Sequence, residues 1–236
     1  MTANQEGGFL SNATVSTFFG CEAMQRLFDT QSQFQAWLDV EAALARAQAS
    51  LGLIPPEAAK RITQCARIDQ LNAAEIAALT VSTGHPLVPL IRALAERCGA
   101  QSGDHVHLGA TTQDIMDTGF VLQARAGLEL VMEQLSELAA VLRRLAAQHR
   151  TTVMAGRTHG QQALPTTFGL RLAGWYEEVM RHRARLQEMR ARLLVGSFGG
   201  AVGTMAGYGP RALELRRAVM QELELGEPGA SWHANQ

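Results

Sequence analysis

Two long segments of this chain repeat apolar residues every three or four positions, and that period limits the fold more than any other feature. In the first segment, from about Asp114 to Arg150, the repeating residues are Leu128, Val131, Leu135, Leu138, Leu142 and Leu145. In the second, which begins after Pro165, they are Trp175, Val179, His182, Leu186, Met189 and Leu193. Steps of three and four place side chains on one face of an α-helix, whereas a strand alternates at every second residue. Sustained over such lengths, the pattern is that of a bundle or coiled coil. Between the segments lies the stretch from Ala155 to Pro165, polar and rich in glycine. It reads as a tight turn joining two antiparallel helices, with Gly156 and Gly160 suited to a helix end and Pro165 to a helix start. The turn carries His159, a side chain that can give or take a proton near neutral pH. Thr158, Gln161 and Gln162 are its hydrogen-bonding neighbours. Spacing alone reads His159 equally well as an exposed loop residue.

The rest of the chain is also helical in pattern. Residues before about Phe18 read as an irregular arm. A short helix follows over Cys21–Phe28, with Asp29 and Thr30 as a cap. Gln31–Leu51 predicts a helix with Phe34, Trp37, Leu38, Ala42, Leu44 and Ala45 toward the core, ended by Gly52. Pro55 and Pro56 open the next helix. Asn72 and Glu75 have the spacing of a capping box for a helix ending near Thr80. A second histidine-bearing turn, Ser82-Thr83-Gly84-His85-Pro86, precedes a helix carrying Leu87, Leu90, Ile91 and Leu94. There His85 reads on spacing as a helix-end cap. Gly99–Gly103 is a joint between helical regions.

After the joint, His105 and His107 stand two apart, a possible metal pair on a strand, but no third ligand at useful spacing accompanies them. Thr111 or Thr112 suits the N-cap of the first long helix, and Asp114 falls in its first turn, where a carboxylate is favoured. Backbone N–H groups at that helix start can bind a carboxylate. Beyond the second long helix, residues 196–209 are dense in glycine, which implies close backbone approach or mobility. This segment follows no strand and lacks the lysine of a P-loop, which argues against a nucleotide loop. Pro210 opens a last helix to about Leu225. No run alternates as a strand does, so the fold class is all-α.

Composition excludes several functions. The 236 residues carry a formal net charge of −1, which gives no electrostatic case for nucleic acid or a membrane surface. No apolar run approaches the roughly 20 residues that span a bilayer. The amino terminus has no basic region followed by an apolar core, so no secretory signal is expected. Cys21, Cys65 and Cys98 fit neither a disulfide framework nor a zinc spacing, and read as reduced cysteines of a cytoplasmic protein.

Three motifs then combine. Val106-His107-Leu108-Gly109-Ala110-Thr111-Thr112-Gln113-Asp114, Gly156-Arg157-Thr158-His159-Gly160-Gln161 and Gly199-Gly200-Ala201-Val202-Gly203-Thr204 occur in that order. Together they resemble the fumarase/aspartase superfamily, and more closely its adenylosuccinate lyase and 3-carboxy-cis,cis-muconate cycloisomerase branch, from about Phe19 to Gln236. The resemblance implies a helical homotetramer whose long helices form a central bundle, with each active site drawing on three subunits. It divides this chain into an N-terminal helical domain, residues 1–103, and the first part of the bundle domain, residues 104–236. The implied reaction is β-elimination releasing fumarate from a succinyl-amine type of substrate, a small polycarboxylate. A base removes the proton beside a carboxylate, an aci-carboxylate intermediate forms, and a general acid protonates the departing atom. Neither metal nor organic cofactor takes part.

By the same resemblance His159 matches the general acid, and Thr158 and Gln161 contact substrate beside it. Thr111 and Thr112 match a Thr-Ser pair that binds a carboxylate at a helix start, with threonine here in place of serine. His85 matches a histidine that assists the acid, although Pro86 follows it where the family has Asp. Gln236 matches a substrate-side glutamine. The segments Leu164–Leu170 and Ala173–Trp175 look more like the cycloisomerases, which often lack the histidine that this chain has at 159, so a cycloisomerase is the alternative. The family's base is a serine in a Gly-Ser-Ser-x-Met-Pro-x-Lys-x-Asn-Pro signature, which is absent from these residues. The expectation is therefore an acid side awaiting its base in a continuing chain. A second alternative is a non-catalytic helical interaction module.

Overall fold

Several helix starts among the described residues are set by side chains able to cap. The structure, a computed structural model, describes residues 20–231; the arm before Phe18 and Gln236 lie outside them. Cys21 Sγ accepts the Met24 N–H at the start of α1 (Glu22–Leu27), and Asp29 Oδ1 accepts the Ser32 N–H at the start of α2 (Thr30–Ser50). Each cap supplies an acceptor that the first turn lacks. α3 (Pro56–Cys65) opens on the expected proline. At α4 (Ala73–Thr83) the predicted box forms: the Glu75 N–H donates to Asn72 Oδ1 at 3.2 Å, and the Asn72 amide donates to Glu75 Oε2. This helix runs on to Thr83 rather than ending near Thr80. Then follow α5 (Leu87–Cys98), the short α6 (Ala100–Gly103) and the first long helix, α7 (Thr112–Gln148). Two strands, β1 (Val153–Thr158) and β2 (Gln161–Thr167), lead into the second long helix, α8 (Phe168–Leu193), and α9 (Ala212–Glu222) comes last.

The chain divides into two compact units. The larger holds residues up to Ala126 and from Arg192 onward, and the smaller is Gly127–Ala191. The core of the larger unit is built around α2. Its Phe34, Trp37, Leu38, Ala42, Leu44 and Ala45 are all buried, as the sequence predicts. They join Ile62 of α3, Leu87, Leu90 and Leu94 of α5, Ile115 of α7, Phe198, and Leu215, Val219 and Met220 of α9. A helix apolar on most of its circumference, as α2 is, must be covered on most sides.

The smaller unit is a helical hairpin whose core is Ala139 and Leu142 of α7 against Leu172 and Val179 of α8. The predicted stripe is only partly inward: Leu138 and Trp175 are exposed. On α8 the predicted Val179 is buried, but it packs with Leu172, Tyr176 and Met180 rather than with Trp175 and His182. Two helices bury one narrow seam, so an apolar stripe wider than that seam keeps residues at the surface.

The fold class stands: the described residues are helical apart from one two-stranded sheet. The expected tight turn, however, is a β-hairpin. α7 stops at Gln148 and α8 starts only at Phe168, so Gly156, Gly160 and Pro165 are not helix-end residues. The antiparallel register pairs Val153 with Thr167, Ala155 with Pro165, Arg157 with Gln162 and Thr158 with Gln161. Ala163 and Leu164 together oppose Gly156, which makes a bulge. A Cβ at Gly156 would stand 2.7 Å from the Leu164 carbonyl oxygen, so glycine is needed there. Alternation failed as a signal because both faces of the hairpin are largely exposed in this chain. Among the described residues no helix is long and apolar enough to cross a membrane.

Candidate active site

The start of α7 is tied down by one carboxylate. Asp114 is fully buried, and its Oδ2 accepts the Thr111 N–H at 3.3 Å, the reciprocal bond of a capping box. Its oxygens also accept the Gly199 N–H at 2.7 Å, the Gly200 N–H at 3.0 Å and the Tyr208 hydroxyl at 2.7 Å. Each of these four partners donates, and the carboxylate oxygens accept. Burial pushes the Tyr208 phenol well above its ordinary range, and the charges of Asp114 and Glu41 push it further, so it remains a donor. One turn on, Thr118 Oγ1 accepts the Ser197 N–H at 3.0 Å and donates to the Ser197 carbonyl at 2.9 Å. The glycine-dense segment is thus a cradle, and the carboxylate in it is the chain's own. Thr111 and Thr112 lie half-buried at this helix start.

Just upstream, His107 takes the left-handed region with φ of +59° and bonds Glu41. The Nδ1···Oε1 distance is 2.5 Å, and Glu41 is 2 % exposed. The second oxygen, Oε2, is buried with no partner among the described residues. His107 does not join a metal set; among the described residues no group of three or more His, Cys, Asp or Glu is placed to hold an ion. Burial lowers the His107 pKa, but the bond and charge of Glu41 and the charge of Asp114 outweigh it and hold it above the ordinary value of 6.5. A histidine raised in this way adds stability that is fully present below its unfolded pKa and is lost as pH rises through the folded one. Urea unfolding of the full-length protein should therefore show a loss of stability above about pH 6.5 that Glu41→Gln lacks. The variant should also be weaker by about 1–3 kcal/mol at about pH 6, since a buried donor loses its charged acceptor. Parallel pH profiles for the two proteins would show that the pair does not titrate in this window.

His85 is half-buried in the turn between α4 and α5. Its Nδ1 accepts the Leu87 N–H at 3.2 Å, and its carbonyl accepts the Thr83 hydroxyl at 3.0 Å. The ring thus caps α5, as spacing alone predicts, and the accepting Nδ1 leaves Nε2 as the donor.

His159 sits at the tip of the β-hairpin. With Thr158 paired to Gln161, the loop is only His159 and Gly160, with φ of +49° and +73°. Two positive φ values in a two-residue loop are the type I′ pattern, whose twist matches that of the strands. Thr158, His159 and Gln161 are all exposed there. So Thr158, His159 and Gln161 share the tip of the smaller unit, whereas His85, Thr111 and Thr112 belong to the larger one. Sequence reasoning missed the roles of Asp114, Tyr208, Glu41 and His107. Two signals were present: the Thr111-x-x-Asp114 spacing, and a glutamate set within the apolar run from Val40 to Ala45 of α2.

The profile of the lyase family matches residues 20–236. The chain belongs to this lyase family, in the fumarase/aspartase superfamily. Among members of the lyase family, the chain is 43% identical over 220 residues to an N-acetyl-S-(2-succino)cysteine lyase of Dickeya dadantii, covering 93% of this chain and 48% of that one. It is 44% identical over 207 residues to an adenylosuccinate lyase of Pyrococcus horikoshii, covering 88% and 46%. A crystal structure of 3-carboxy-cis,cis-muconate lactonizing enzyme from Pseudomonas putida superposes with a TM-score of 0.88 at 41% identity, covering 92% of this chain and 50% of that one. The chain therefore spans about half the length of the relatives it matches. These relatives carry the names of enzymes, and the interaction-module reading is left without support.

Proposed function

We propose that this chain is the acid-bearing half of a β-eliminating lyase that releases fumarate from a succinyl-amine or related succinyl substrate without a cofactor. The observation that carries the reading is the hairpin tip, where a two-residue turn holds His159 exposed between Thr158 and Gln161. In this reading His159 protonates the departing atom, and Thr158 and Gln161 contact substrate. Thr111 and Thr112 hold a carboxylate at the start of α7, where first-turn N–H groups have no intrahelical acceptor. His85 assists through Nε2, and Gln236 contacts substrate. A homotetramer that brings these groups together is part of the proposal. The exposed hairpin supports it: Leu164 is 81% exposed, and an isolated two-stranded hairpin is marginal in water.

The second reading is a cycloisomerase that forms a lactone from a carboxymuconate, supported by the similarity to the lactonizing enzyme. His159 favours the lyase. The test is a substrate screen on the full-length protein with adenylosuccinate, an S-(2-succino)cysteine and 3-carboxy-cis,cis-muconate, following fumarate and lactone separately. Fumarate release from a succinyl compound is the expected result. Lactone formation alone would favour the second reading, and inertness toward all three would overturn both.

A further inference from the structure

We propose that Asp114 is a positioning residue that sets the start of α7, through the glycine-rich segment, so that Thr111 and Thr112 meet a substrate carboxylate in the right geometry. This rests on the carboxylate role proposed above for the two threonines. Asp114 does not itself face substrate: it is fully buried, and its oxygens are taken by donors from the Gly199–Tyr208 segment and from the Thr111 backbone. The same carboxyl group thus holds one donor belonging to a threonine of the proposed site and three belonging to the loop. Any shift of the loop is passed to Thr111 through two bonds at one carboxylate.

Two further contacts make the clamp stiff. Thr118, four residues on and so on the same face of α7, makes its two-way bond with Ser197. At the other end the backbones of Gly109 and Gly207 touch: a Cβ on Gly109 would stand 2.4 Å from the Gly207 carbonyl oxygen, and one on Gly207 would stand 2.7 Å from that of Gly109. The loop therefore grips the residues on both sides of the two threonines. The charge matters as well as the shape. A negative side chain beside a carboxylate-binding helix start would repel its ligand, but four donors converge on Asp114 and spread that charge into the loop. Asparagine keeps the shape and turns one acceptor into a donor, facing a Gly N–H or the Tyr208 hydroxyl with another hydrogen.

The test is steady-state kinetics on the full-length enzyme with the substrate that releases fumarate. Thr111→Val and Thr112→Val are the reference, and both should raise KM. Asp114→Asn should raise KM roughly tenfold or more with kcat within about threefold, because misplacing a binding group by a fraction of an ångström weakens binding before it alters the chemistry. Tyr208→Phe removes one donor without changing shape and should raise KM by roughly threefold. Combined with Thr112→Val, it should cost less than the product of the two single effects, as expected when one residue acts through the other. If the threonine variants leave KM unchanged, the carboxylate assignment fails, and this proposal with it. If they raise KM while Asp114→Asn and Tyr208→Phe do not, the positioning role alone is overturned. Strict multiplication in the double variant would also overturn it, since a loss of general stability has no reason to couple to one threonine. Should Asp114→Asn fail to fold, Tyr208→Phe and the double variant decide.

Discussion

Replacing His159 with asparagine in the full-length protein is expected to lower kcat by roughly 10²–10⁴, the usual contribution of a positioned general acid. Its unfolding midpoint should stay unchanged or rise. Asparagine is the informative substitution because of the turn. His159 holds φ of +49° in a two-residue hairpin loop before Gly160. Left-handed backbone is uncommon for side chains other than Gly, Asn and Asp, and Asn-Gly is the preferred pair for this turn. The variant therefore suits the backbone at least as well and removes only the proton chemistry. His159→Ala would mix the two effects, since alanine at positive φ adds strain. The pH–rate profile gives a second readout, because the limb that reports the acid should vanish with the imidazole. A near-normal kcat in His159→Asn would sink the assignment of the acid while leaving the family membership untouched.

Gly109→Ala is expected to be the most damaging single-methyl change in the larger unit, costing about 3 kcal/mol or more and raising KM, whereas Gly84→Ala costs about 1 kcal/mol. Both glycines have positive φ, +77° at Gly109 and +66° at Gly84, so conformational strain is common to both variants. They differ in what a methyl group meets. At Gly84 nothing lies within 4 Å, while at Gly109 the Gly207 carbonyl oxygen lies 2.4 Å away and belongs to backbone that cannot rotate aside. Relief requires the glycine-rich segment to move away from α7, which strains the Asp114 and Thr118 bonds together. Urea denaturation of the two variants beside the parent protein measures the difference. Equal losses would mean that the segment yields easily, and the clamp would not be stiff.

Local rules carried the sequence reading a long way. The caps at Asp29 and Asn72, the proline that opens α3 and the buried face of α2 were all legible, because each depends on residues within a few positions of one another. The hairpin at 153–167 was not. Its strands are short, exposed and bulged at Gly156, so they lack the alternation by which a half-buried strand announces itself. The residues of the proposed site were readable as motifs, and what spacing did not show is that His159 stands exposed in the two-residue turn of a β-hairpin.

The amino-acid sequence by itself determined the helical period, several helix starts and the three motifs, because these are written in spacings of three to nine residues along the chain. Only the tertiary structure decided what the charged groups inside the larger unit are for. Asp114 reads from spacing as a helix-dipole residue, and spacing singles out nothing at Glu41. Their partners, Gly199, Gly200 and Tyr208 for one and His107 for the other, are far away along the chain. A buried carboxylate needs partners that the fold brings to it, and bringing together residues so far apart along the chain is a property of the folded backbone, not of any local pattern.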